Sequence, residues 1–159
     1  MFKIHITDSF YNEWIWYHEE SMIPVEMDKI KIIPLEHKLF SGDAIDINEN
    51  TINIVHSPIR NDNNIPGILL LTGKTYGRAK NQRFYYKCIP NDHRIPAFLL
   101  PYEIKSIGFN KNIINKFILF KYVEWTEKHP TGVIVNILGN ITDLGSFYEY
   151  QLYCKNLFI

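Results

Sequence analysis

Apolar and polar residues alternate in short bursts along this chain. Runs from Phe2 to Thr7, Ile30 to Leu35, Ala44 to Ile47, Thr51 to His56, Gly67 to Thr72, Arg83 to Ile89, Ala97 to Tyr102, Phe117 to Trp125 and Val133 to Leu138 each have a strand's length. Turn residues separate them, and short strands at such spacing mark a barrel or sandwich. Prolines at 24, 34, 58, 66, 90, 96, 101 and 130 are expected at the borders of the runs, because a residue without an N–H cannot donate to a ladder. Helical spacing emerges only at the end, where Phe147, Tyr150, Leu152, Tyr153 and Leu157 line one side of a helix begun by Ser146. The stretch from Cys88 to Pro96 has two prolines in quick succession and reads as a domain border. The pattern therefore predicts a mostly β chain, with two small barrels over 1–88 and 89–159 and a short C-terminal helix.

Composition supports a folded product. The chain has 159 residues, 46% of them hydrophobic and 21% charged, whereas disordered chains are poorer in apolar residues and carry more net charge. Ten Tyr and ten Phe favour strands, where rings pack on a pleated, half-buried surface. The formal charge of zero argues against a protein that coats nucleic acid by sheer basicity. That average hides an asymmetry. Residues 1–50 hold ten acids, from Asp8 to Glu49, against four lysines. Residues 72–94 hold Lys74, Arg78, Lys80, Arg83, Lys87 and Arg94 against Asp92 alone.

Cys88 and Cys154 are far apart and form no C-x-x-C, so neither a disulfide framework nor a zinc site is indicated. The longest apolar run, around Ile65 to Thr72, is far below the roughly 18 residues of a membrane span. The N-terminus lacks a basic-then-apolar signal, and the expectation is a cytoplasmic protein with no membrane partner. Catalytic patterns fail in turn: there is no G-x-S-x-G and no H-E-x-x-H, and Gly73-Lys74-Thr75 lacks the upstream glycine of a phosphate loop. Asp43 and Asp46 share a strand with no third acid nearby, so they read as structural, and no cofactor or metal is expected. The six histidines are scattered and receive no role.

Several short elements nevertheless occur in a telling order. Asn91-Asp92-His93-Arg94-Ile95-Pro96 precedes a strand, and Trp125 follows another. His129-Pro130-Thr131-Gly132, then Leu138-Gly139-Asn140, then an acidic helix start at Glu149 complete the set. This series resembles the second of the paired cold-shock (OB-type) domains that precede the catalytic domain of RNase II/RNB exoribonucleases. Upstream, Ser41-Gly42-Asp43-Ala44-Ile45-Asp46-Ile47 and the stretches Pro66-Gly67-Ile68 and Tyr76-Gly77-Arg78 resemble parts of the first such domain. Residues 1–40 match nothing nameable, and Asn140 stands where the family usually has an acid.

The resemblance implies an OB fold and single-stranded RNA as partner, held without sequence specificity. It also implies that the aspartate cluster which holds magnesium in RNB nucleases would lie beyond Ile159, so that this chain would be non-catalytic. OB-type barrels bind single strands by stacking bases on aromatic rings while cations track the phosphates. Lys74, Tyr76, Arg78, Lys80, Arg83, Tyr85, Tyr86 and Lys87 interleave both kinds of residue, with Arg94 just beyond. Strand alternation requires that Tyr85 or Tyr86 be buried. Trp125 followed by Lys128 and His129 is a second candidate surface, the alternative being a Trp that closes the end of a barrel. Trp14, Trp16 and Tyr17 beside Glu13, Glu19 and Glu20 make an acidic, aromatic edge within residues 8–49 that suits a protein partner better than phosphate. The competing reading is a structural or interaction protein, such as a stand-alone viral descendant that kept the barrel.

Overall fold

The computed structural model describes residues 1–25, 30–48, 51–104 and 113–155. They form two compact units, one of residues 1–62 with 93–96 and one of residues 63–92 with 97–159. The expected border between 88 and 89 thus falls inside a strand, because the second unit already begins with the strand that follows Asn63.

The first unit carries a four-stranded sheet where a first small barrel was expected. Its strands are β1 (Phe2–Ile6), β2 (Trp14–His18), β3 (Ala44–Asn48) and β4 (Thr51–His56), in the order β2-β1-β3-β4. Ile4 and Ile6 alternate inward from β1 and meet Trp16, Leu39, Phe40 and Ile45, all buried. The predicted strand at Ile30 to Leu35 is absent. Residues 30–33 form no regular structure and a turn follows over 34–38, where Glu36 N–H donates to the Ile33 carbonyl at 3.1 Å and Leu39 N–H to the Pro34 carbonyl at 3.0 Å. Strand β2 was not predicted, since its alternation is spread over aromatics flanked by acids.

Asp43, with no exposed surface, anchors this unit. Its carboxylate accepts from the Phe40 N–H at 2.8 Å, the Ser57 hydroxyl at 2.6 Å and the Arg60 guanidinium at 2.7 Å. Ser57 also caps the short helix α1 (Pro58–Asn61), and Arg60 lies over the Phe40 ring at 4.9 Å while donating to the Lys38 carbonyl. The acid of the Gly42-Asp43 motif is therefore a tie between a strand and a helix.

The second unit is a closed five-stranded barrel. Strands β5 (Ile65–Leu69), β6 (Phe84–Pro90), β7 (Phe98–Tyr102), β8 (Lys116–Glu124) and β9 (Thr131–Asn140) run in the order β5-β6-β7-β9-β8. All pairings are antiparallel except β7 with β9. This is the OB type of barrel, in which the loops β5–β6 and β8–β9 open beside the second strand. Pro66 and Pro101 lie inside β5 and β7, contrary to the border rule, but each sits within one residue of a strand end, where the ladder loses little.

Helix α2 (Leu144–Cys154) packs on the barrel, with Tyr150 stacked on Phe117 at 4.5 Å between ring centres. Its N-cap is Asp143, three residues before the predicted start at Ser146. Phe147 and Leu152 remain exposed, and Leu157 lies outside the described residues. No helix among the described residues is long and apolar enough to cross a membrane.

Candidate nucleic-acid interface

The β5–β6 loop folds back on β6 as a hairpin. Tyr76 N–H donates to the Tyr85 carbonyl at 3.0 Å, and Tyr85 N–H returns to the Gly77 carbonyl at 2.8 Å. Further out, Ala79 N–H reaches the Arg83 carbonyl at 2.8 Å, and Gln82 N–H closes a turn onto the Ala79 carbonyl at 3.0 Å. Lys80 and Asn81 are the central residues of that turn, so Lys80 stands exposed at the tip, with Arg78 and Arg83 exposed on either side. The guanidinium of Arg78 lies 4.4 Å above the ring of Phe84.

Alternation along β6 decides which rings are available. Tyr86 and Cys88 point into the barrel, whereas Tyr85 and Lys87 point out and are half-buried. Tyr86 is 6% exposed and sets its edge against Tyr102 at 6.2 Å, which corrects its assignment as a stacking platform. Trp125 is corrected for the same reason: at 6% exposure its ring belongs to the core, where indole burial contributes more than an open face would. Arg94 is exposed and belongs to the first unit.

The second barrel loop, between β8 and β9, supplies what the sequence had kept separate. His129 sits edge-on to the Tyr76 ring at 5.8 Å, and Lys74 Nζ lies 5.1 Å from the centre of that ring. Partial burial holds the His129 imidazole below the usual histidine range, and the charges of Lys128, Lys87 and Lys74 push it further down. Three lysines from two loops and one strand therefore act on one imidazole, and Lys74 lies beside the Tyr76 ring as well. The sequence placed Lys128 and His129 on a second surface with Trp125, and gave no signal that they meet Lys74 and Tyr76.

Around the hairpin, Arg78, Arg83, Phe84, Tyr102 and Glu103 line a cavity of about 600 Å³ at the mouth of the barrel. In the first unit, the acidic edge takes another form. Trp14, Trp16, Ile30, Ile32 and Ile33 line an apolar groove of about 620 Å³ with Glu13 and Lys31 at its side. Asp43 is withdrawn from the acidic surface by burial, and Glu26, Asp28 and Glu49 lie outside the described residues. Among the described residues no group of three or more His, Cys, Asp or Glu could hold a metal ion.

Barrel topology and paired loops define an OB-type barrel, an architecture that binds oligonucleotides and oligosaccharides in many proteins. Residues 85–149, from β6 into α2, match the family model of Dis3-like cold-shock domain 2 (CSD2). That match covers less than half of the chain and leaves the first unit unassigned. No curated protein matches the chain.

Proposed function

We propose that the barrel binds single-stranded RNA by its backbone, and that the chain acts by binding and not by catalysis. The observation that carries this reading is that the His129 imidazole, which feels the charges of Lys74, Lys87 and Lys128, lies edge-on to the Tyr76 ring, with Lys74 beside that ring. Cations gathered beside exposed or half-exposed rings are what a single strand requires, since phosphates pair with the charges and bases stack on the rings. Tyr76 and Tyr85 serve as the outer platforms, and Lys80 and Arg83 extend the charged path along the hairpin. The match to Dis3-like cold-shock domain 2 supports a role beside an RNB-type exoribonuclease, feeding a strand toward a catalytic domain. Cytoplasmic RNA is the expected target.

Fluorescence anisotropy with a labelled single-stranded RNA of about a dozen nucleotides tests this reading. Binding at low salt that weakens on replacing Lys74, Lys87 and Lys128 together by Ala supports it. No binding at low salt would sink it. A protein partner for the first unit is a second reading, favoured by the apolar groove between Trp14 and Trp16 next to acidic Glu13. Retention of a partner by the chain and its loss on Trp14→Ala would establish that reading.

A further inference from the structure

The cavity at the mouth of the barrel differs in chemistry from the lysine cluster. Phe84 and Tyr102 are opposite residues of β6 and β7, so both side chains lie on the same face, beside Tyr86. The Arg78 guanidinium covers the Phe84 ring at 4.4 Å and is steadied by the Gln82 carbonyl at 3.4 Å, which makes a flat, positively charged platform. Arg83 stands on the same hairpin, and Glu103 adds a carboxylate directly after β7. Among the described residues Glu103 forms no ion pair with either arginine, so the cavity presents a free acceptor next to its cations. A site built only to hold phosphate has no use for that carboxylate, which would repel the backbone.

We propose that this cavity takes in one unstacked nucleobase of the bound strand and prefers guanine. The proposal rests on the reading of the barrel as an RNA-binding module and adds a base-selective subsite to it. Guanine is electron-rich, so it stacks well on a guanidinium already seated on an aromatic ring. Its N1–H and N2–H₂ donors lie side by side, and a carboxylate, which only accepts, takes both in parallel. Uracil sets carbonyl oxygens on both sides of its one N–H and would turn lone pairs toward Glu103. Arg83 is placed to meet the phosphate of the same nucleotide. The lysine cluster thus sets affinity for any strand, and the mouth of the barrel sets which base sits there.

The test compares labelled dodecamers of uridine that carry a single central guanosine, uridine or abasic site, titrated at low salt against the full chain and its Glu103→Gln and Phe84→Leu variants. The guanosine strand should bind at least about fivefold tighter than the uridine strand, the scale of one paired base contact. Glu103→Gln should abolish that preference without weakening the uridine strand, and Phe84→Leu should weaken the guanosine strand toward the abasic one. Equal, salt-dependent binding of all three strands would overturn the guanine subsite and leave the RNA-binding reading standing. Absence of binding to every strand would remove both.

Discussion

Asp43 lost all contact with water and kept three donors. Burial pushes its carboxyl above the ordinary carboxylate range, while the Ser57 hydroxyl, the Phe40 N–H and Arg60 pull it back down. A raised value means that the folded state holds the proton more tightly than the unfolded chain, so this group's contribution to stability falls as pH rises through that window. Arg60→Ala removes one of the opposing causes and leaves a buried charge unpaired. The variant should lose about 3 kcal/mol at neutral pH, the lower end for such pairs because Arg60 is not fully buried. Its deficit should shrink toward pH 4, where protonation relieves the stranded carboxylate. Urea unfolding followed by the fluorescence of Trp14 and Trp16 checks both points, and a deficit independent of pH would show that Asp43 does not titrate as its surroundings require.

Between elements, the turn from β9 into α2 is governed by one glycine. Gly139 has φ of 145°, and a Cβ there would overlap the Ser146 hydroxyl, which donates to the Leu138 carbonyl and to Asp143. Gly139→Ala should therefore cost about 2 kcal/mol through strain and displacement of that hydroxyl, read as a drop in the melting temperature. Adding Ser146→Gly should recover only the steric part, since the backbone strain persists. The same scale governs His129. Phosphate brought against the imidazole would raise a value that burial and the charges of Lys128, Lys87 and Lys74 now hold down, so the proposed RNA binding would take up a proton. Affinity should rise as pH falls from about 7.5 to 5.5 at constant ionic strength, and His129→Gln should flatten that rise.

At the scale of the molecule, a net charge of zero means that the proposed RNA binding would depend on a local cluster and not on the overall field. Neutralising Lys74, Lys87 and Lys128 together should flatten the plot of log affinity against log salt by about 2, given a contribution of about 0.7 for each phosphate contact on a single strand. An unchanged slope would place the contacts elsewhere. The sequence alone determined that the chain is mostly β, where its barrel strands lie and which residues are cationic, because alternation and turn residues act over a few positions and leave a local record. It also carried the ordered elements from Asn91 to Asn140 that led to the cold-shock domain. Only the tertiary structure decided that Tyr86 and Trp125 face the core, that the first unit closes no barrel among its described residues, and that Lys128 and His129 stand beside Lys74 and Tyr76. Those outcomes depend on strand register and on barrel closure, which join residues more than fifty positions apart, and no local pattern in a single chain records such a meeting.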